Sequence, residues 1–483
     1  MKKYLVLLAA LCLTMIVHAE HQVFGRSFMF TKPAYYNMFI EQALWHDIEY
    51  NKHGKVSGGL QIIPFFQGSS PLSKSARYFL IKGKTQLLIS GDANSNELPV
   101  RDIRAEWLGL PSDFSGYMSL NPQQKQYGCV LEYNQDLKQW FDVAFLRDMF
   151  ISLEIPILGV ENKLHLEQSQ VINEGTNFPQ NIIEAFNQPS WLFSKMPAKK
   201  KRAGVAEIKA MLGSSYISEN YLQLIYYSAL VIPTSKAQHA EWMFDAVIGN
   251  NKHMGVGAGV NMQVPLNRDM SSHVFSWVLN LESIILIRNK QWRTFDLRDK
   301  PYSRFLLMNT LGGPPNTNIP GVNLLTRKAT IKPFNMVDFT MGWRVNRNNL
   351  EFELGWGIWG HGFERVEYID DNHEFELLPF GIAGTEPGTT AHRSTISHQA
   401  PNDTVNGKPD GAPLFVAIQP SDVDLHSGSN KGALDFRLFM SGGSIQKGTS
   451  IDHVIGGGWS VDIPYINSAL QVWCLWLKYG VTF

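Results

Sequence analysis

From Trp473 to the last residue, every odd position is apolar: Trp473, Leu475, Leu477, Tyr479, Val481 and Phe483. The even positions hold Cys474, Trp476, Lys478, Gly480 and Thr482. Successive side chains on a strand point to opposite faces, so one face of this segment is wholly apolar and the other is mixed, small or charged. A soluble sandwich seldom places six large apolar residues on one face and ends the chain on the last of them. A strand with lipid outside and a watery lumen inside requires that pattern.

The same period recurs upstream. Val337, Phe339, Met341, Trp343 and Val345 alternate with Asp338, Thr340, Gly342 and Arg344. Across a turn at Arg347-Asn348, Leu350, Phe352, Leu354, Trp356 and Ile358 alternate with Glu351, Glu353, Gly355 and Gly357, which makes a β-hairpin. Leu434 to Met440 sets Asp435 and Arg437 on its polar face, and Ile455 to Ile463 sets Ser460 and Asp462 there. Met254–Val264, Phe275–Leu281 and Ala206–Leu212 repeat the alternation, the first with a small-residue row at Gly255, Gly257 and Gly259. No helix pattern follows that row, so it reads as lumen wall and not as a phosphate loop.

This series resembles bacterial outer-membrane β-barrels, whose last strand ends in Phe behind alternating apolar residues. The resemblance implies a transmembrane antiparallel barrel, with Tyr479, Val481 and Phe483 read by the barrel assembly machinery. About ten strands follow Ala203. Lys55–Pro64, Arg77–Ser90, Gln126–Asn134 and Trp140–Ile157 add about four, for an expected fourteen with 12–16 allowed. If the C-terminus is periplasmic, the Arg347-Asn348 turn lies on the short-turn side. Arg298–Asn335 and Gly360–Lys431 then form long outer loops, the second rich in turn formers as in Thr385–Gly388 and Asn402–Pro413. Asp92–Ser119 fits neither a short turn nor a clear strand.

The N-terminus agrees with export. Lys2 and Lys3 precede an apolar run from Tyr4 to Val17, and Val17-His18-Ala19 suits cleavage before Glu20. The run is about fourteen residues, short of the roughly twenty that a helical span needs. Residues 1–19 are thus expected as a signal peptide, 20–54 as a plug or lead-in segment, and 55–483 as the barrel. Thr31, Pro33 and the spacing of Tyr36, Phe39, Ile40, Ala43 and Leu44 predict an amphipathic helix over Pro33–His46, a candidate plug. The competing reading makes Tyr35–Tyr50 an extra strand. Pro179–Trp191, with Ile182, Ile183 and Phe186, reads as a second helix.

Basic and acidic side chains number 43 each, and loss of Lys2 and Lys3 leaves the chain nearly neutral, so no electrostatic pull toward nucleic acid is indicated. Cys129 and Cys474 survive signal cleavage and read as unpaired, half-buried thiols, with no metal spacing and no cofactor motif. The basic run Lys199–Arg202 reads as a solvated turn rather than a lipid site.

Asp338, Arg344, Glu351, Glu353, Asp435, Arg437 and Lys478 line the expected lumen. Their mixed signs suit a passive, weakly selective outer-membrane channel for small or amphipathic solutes, with outer-membrane lipid around it. The fatty-acid transporter family is similar in strand number, length and N-terminal plug, but its Asn-Pro-Ala motif is absent here, so that likeness is architectural. An enzyme is the contrasting expectation. His426-Ser427-Gly428-Ser429-Asn430-Lys431-Gly432 is similar to the His, Ser, Asn and Gly series of outer-membrane phospholipases, with one residue too many. Asp452-His453 faintly resembles the pairs of outer-membrane proteases. Both motifs lie in segments rich in turn formers, where such residues occur by chance, so no catalytic residue is assigned and the chain reads as a channel rather than a lipid hydrolase. A surface adhesin or receptor would rest on the long loops, which name no partner.

Overall fold

A computed structural model describes Lys32 and residues 58–70, 75–266, 274–310, 318–369, 379–382, 417–466 and 470–483. Within those ranges, 98–99, 142, 144–145, 147–148, 219–221, 334 and 348 are also left undescribed. The expected signal peptide, the helix over Pro33–His46, the alternative strand over Tyr35–Tyr50, and the loop stretches at Thr385–Gly388 and Asn402–Pro413 lie outside the described residues.

Twelve strands form the wall: β1 (Gly58–Ser70), β2 (Gln123–Asp136), β3 (Met149–Lys163), β4 (Glu207–Ser218), β5 (Leu222–Pro233) and β6 (Gly255–Pro265). They continue as β7 (Val274–Leu286), β8 (Asn335–Arg347), β9 (Leu350–His361), β10 (Ala433–Gln446), β11 (Asp452–Ile466) and β12 (Gln471–Thr482). Each pairs antiparallel with its neighbours in sequence, and β12 returns to β1 with Thr482 opposite Gly59. Closure leaves no free sheet edge in the lipid, where an unpaired backbone group would be costly.

The expected total of fourteen is therefore corrected to twelve. One source of the excess is Arg77–Ser90. There the chain makes short 3-10 turns and then the strand Gln86–Ser90, whose residues from Leu87 onward are all buried. A strand covered on both faces belongs to a packed core and has no lipid side.

Links between wall strands differ sharply between the two ends. One end carries the links 219–221, 266–273, 348–349 and 447–451, with a longer one at 137–148 that includes the 3-10 turn Leu137–Gln139. The other carries the short link 467–470 and the long links 71–122, 164–206, 234–254, 287–334 and 362–432; all the long links but 234–254 hold additional strands, and their described residues fold together as a cap. Asp92–Ser119 finds its place here, within the sheet ordered Ile103–Arg104, Gln86–Ser90, Ser115–Leu120, Leu166–Ile172. A second sheet joins Asn289–Thr294, Thr326–Lys332 and Arg365–Ile369, so loops distant in sequence are stitched to each other. The segment expected as a helix over Pro179–Trp191 contains a single α-turn, Ile182–Ala185, capped by the Asn181 side chain.

One hydrophobic core runs through the cap, from Ala76 and Phe79 through Trp191 and Phe305 to Val423 and Val472. Trp191 stacks on Phe305 at 5.7 Å, and Phe186 meets both rings edge-on. Within this core the buried Arg304 and Asp296 form a two-pronged pair, with Nε to Oδ1 and Nη2 to Oδ2 both at 2.8 Å. Asp296 also accepts from the Arg304 backbone N–H at 3.1 Å, so its lone pairs are well used.

Candidate functional site: the barrel interior

Alternation in the wall sorts side chains by polarity. Outward positions carry exposed apolar residues on every strand, among them Leu60, Ile62 and Phe66 on β1, Leu354 on β9, Leu438 on β10 and Leu475, Leu477, Tyr479 and Phe483 at the C-terminus. Val481 takes an outward position in the same series. Inward positions carry buried polar and charged residues, together with an apolar cluster of Ile63, Phe65, Val130, Leu158, Val160, Phe439 and Trp476. An apolar outside with a charged inside suits only a sheet bathed in lipid. The chain is an outer-membrane β-barrel protein.

All seven residues expected on the lumen wall are buried and lie on the inward register: Asp338, Arg344, Glu351, Glu353, Asp435, Arg437 and Lys478. Six of them fall into two clusters on β8 to β11. In the first, Arg344 on β8 stands directly across from Glu353 on β9. Its Nη2 reaches Glu353 Oε2 at 2.6 Å, its Nε lies 3.4 Å from Glu351 Oε1, and its Nη1 donates to Gln263 Oε1 at 3.0 Å. In the second, Arg437 on β10 stands across from Asp462 on β11, with Nε to Oδ1 at 2.8 Å, and its Nη1 reaches Asp338 Oδ2 at 3.1 Å.

Lys32 completes the second cluster. Its ammonium ion-pairs with Asp462 and lies 3.2 Å from Asp435 Oδ2, and it sits 5.1 Å from the centre of the Trp359 ring. The chain between the expected cleavage site and β1 therefore enters the barrel interior at least at this residue. Arg437 and Lys32 together face three carboxylates, those of Asp338, Asp435 and Asp462.

A third cluster lies on β3, β4, β5 and β7. Lys209 Nζ contacts Glu282 at 2.8 Å and Glu154 at 3.3 Å. Tyr227 donates to Glu282 at 2.7 Å. The local sequence allows this reach, because Tyr227 faces Gly259 across the β5–β6 ladder and a Cβ there would meet the ring at 2.2 Å. The small-residue row on β6 thus makes room for an inward aromatic.

Sequence reasoning missed Lys32, Glu132, Glu154, Glu207, Lys209, Glu282 and Asp462 as members of the interior. Glu207, Lys209, Glu282 and Asp462 already stood on the polar side of alternating segments. Glu132 and Glu154 lay in strands placed without an assigned face. Lys32 carried no periodic signal at all. With these additions acidic side chains outnumber basic ones on the described wall.

The motifs considered for catalysis are spent on structure. Ser427 Oγ donates to the Asp424 carbonyl at 2.6 Å, and Ser429 Oγ donates to the His426 carbonyl at 2.8 Å, while His426 itself is exposed. Asp452 accepts from the Gly448 backbone, and the His453 ring meets the Tyr479 hydroxyl at 3.1 Å. Among the described residues, no group of His, Cys, Asp and Glu is arranged to hold a metal ion. Cys129 and Cys474 stand on outward and inward register positions respectively, and no disulfide joins them.

Where the cap meets the wall, a buried polar collar ties three links together. Glu364 contacts Arg293 Nη2 at 3.2 Å and accepts from the Asn430 backbone at 2.9 Å. Burial alone would raise the Glu364 carboxyl, but Arg293 and the Asn430 amide hold it below the usual range. His253 Nδ1 lies 2.8 Å from the Ile287 carbonyl, so it carries the proton, and Nε2 then accepts from Gln291 at 2.8 Å. Burial pushes this imidazole below its ordinary pKa, which keeps it neutral.

No family model and no curated protein matches this chain. Among solved structures it is similar to an outer-membrane channel of Pseudomonas putida F1, at 9% identity over 89% of this chain and 96% of that one, with a TM-score of 0.39. It is also similar to a Pseudomonas aeruginosa FadL homologue, at 7% identity over 88% and 90%, with a TM-score of 0.27. The translocator domain of the autotransporter NalP from Neisseria meningitidis follows at 8% identity over 92% and 95%, with a TM-score of 0.28. The barrel stands on its own closed pairing rather than on these distant likenesses.

Proposed function

We propose that this protein is a passive outer-membrane channel whose route is the barrel interior. The carrying observation is the wall itself: a closed ring of twelve strands whose inward face combines charged, hydrogen-bonded clusters with one apolar cluster while its outward face is apolar. The cap faces the cell exterior, because barrel turns are short on the periplasmic side. Lys32 stands in the route, filling the Asp435–Asp462 pair beside Trp359. Small or amphipathic solutes are the class such a mixed wall suits, and its surplus of carboxylates gives a mild preference for cations. Tyr479, Val481 and Phe483 serve assembly, as the terminal strand of the barrel.

Reconstitution into a planar bilayer tests this reading. Stepwise conductance that rises with salt, with a reversal potential mildly favouring cations, is the expected result. A silent membrane, or lipid hydrolysis abolished by His426→Ala, would overturn it.

A further inference from the structure

The basic run at Lys199–Arg202 is not a turn. Lys200–Val205 is a strand lying along β3, with Lys201 opposite Glu161, on the same edge that β4 uses further down. The run is split by parity. Lys200 lies over the Trp242 ring at 3.0 Å, and Arg202 reaches Asp245 at 3.4 Å and the Lys236 carbonyl at 3.1 Å, which clamps one face to the link after β5. Lys199 and Lys201 point the other way, onto the outer wall of the barrel. There their ammoniums meet Glu161 at 2.9 and 3.0 Å, and Lys163 approaches the same carboxylate at 3.6 Å. Lys125, exposed on β2, stands directly across from Glu161.

The height of this patch decides its meaning. On β2, Lys125 is the next outward residue beyond the exposed Tyr127, and on β3, Glu161 and Lys163 come next beyond Ile157 and Gly159. On the added strand, Lys201 and Lys199 follow Val205 and Ala203. The neighbouring Phe66 and Trp473, 5.4 Å apart, form an aromatic rim beside it. Four lysines around one carboxylate therefore sit where the apolar belt ends on the cap side. One carboxylate cannot neutralise four ammoniums, and the surplus positive charge faces the headgroup layer.

We propose that this patch binds the phosphorylated sugar headgroup of the outer leaflet's lipopolysaccharide. Phosphate supplies several acceptor oxygens for ammonium donors, and a lipid source holds those oxygens at the height of the patch. The site is on the lipid side of the wall, so it stands whether or not the interior conducts.

The test is a binding titration of the purified full-length protein in neutral detergent with fluorescent lipopolysaccharide. The Lys199→Gln/Lys201→Gln double variant should bind about thirty-fold more weakly, from the loss of two near-surface charges. On the unaltered protein, dephosphorylated glycolipid should bind as weakly as that, which keeps the test valid should the variant misfold. Excess inorganic phosphate should fail to compete. Equal binding by protein and variant, or by phosphorylated and dephosphorylated glycolipid, would overturn the proposal. Full competition by inorganic phosphate would assign the patch to a free anion and overturn the lipid assignment.

Discussion

Wall and cap are built from the same antiparallel strands and invert each other's chemistry. In the wall, apolar residues face out and the charged pairs of Arg344, Arg437 and Lys209 face in. In the cap, Trp191, Phe305 and their neighbours are inside, and the charged pair Arg304–Asp296 is enclosed by apolar side chains. The surrounding solvent sets the difference. Lipid rewards an apolar exterior and leaves polar groups to satisfy each other within, whereas water rewards the reverse. An ion pair therefore matters differently in the two places. In the cap it has few substitutes, while in the wall Arg344, Arg437 and Lys209 each have more than one partner within reach.

The largest expected effect breaks the cap alone. Asp296→Ala leaves the Arg304 guanidinium buried without its two-pronged partner, at a cost of about 3–5 kcal/mol. Protease added from outside should then cleave the cap links, while the barrel keeps its heat-modifiable mobility on a gel. Loss of both together would mean that wall and cap are one cooperative unit. Next comes the lipid face. Leu477→Arg, at a 67% exposed position well inside the strand, should cost about 2–4 kcal/mol in a refolding titration into bilayers. Unchanged folding would refute the assignment of that face to lipid.

Acid should loosen the collar and spare the wall. His253 is held neutral, so its stabilising contribution is complete above its unfolded pKa of about 6.5 and falls by up to about 1.4 kcal/mol per pH unit below that. Glu364 is held ionised by Arg293, so its contribution is lost at lower pH still, as acidification passes its depressed pKa. Hydrogen exchange at Asn289–Thr294 and Arg365–Ile369 should therefore quicken between about pH 7 and 5, and His253→Gln should abolish that first step. The smallest effect belongs to the wall network. Glu353→Gln should cost about 1 kcal/mol, because Arg344 keeps Glu351 and Gln263. A cost as large as that of Asp296→Ala would erase the proposed contrast between wall and cap.

The wall was legible in sequence because its signal is local. Period two from Val337 to Ile358 and from Trp473 to Phe483 states both the strand and its facing, and the seven lumen residues follow from parity. The cap was not legible, for a physical reason. Its strands are short, and Gln86–Ser90 is buried on both faces, so no alternation marks it. Its sheets pair segments as distant as Asn289–Thr294 and Arg365–Ile369, which no local pattern records. The overcount of strands came from that region. The run Lys199–Arg202 misled for a related reason: four consecutive charges look solvated until pairing with β3 separates them by parity. Lys32 was invisible, since one lysine before a predicted helix says nothing of the carboxylates waiting on β10 and β11.

The central claim is the proposed one, that the interior is the route and that Lys32 obstructs it. Single-channel conductance of the protein lacking residues 20–50, beside the full-length protein, tests it most directly. A clear rise in conductance with the heat-stable barrel retained is the predicted result, and Lys32→Gln should reproduce part of it. A folded barrel whose conductance is unchanged by the deletion, or a deletion that prevents the barrel from forming, would contradict the account.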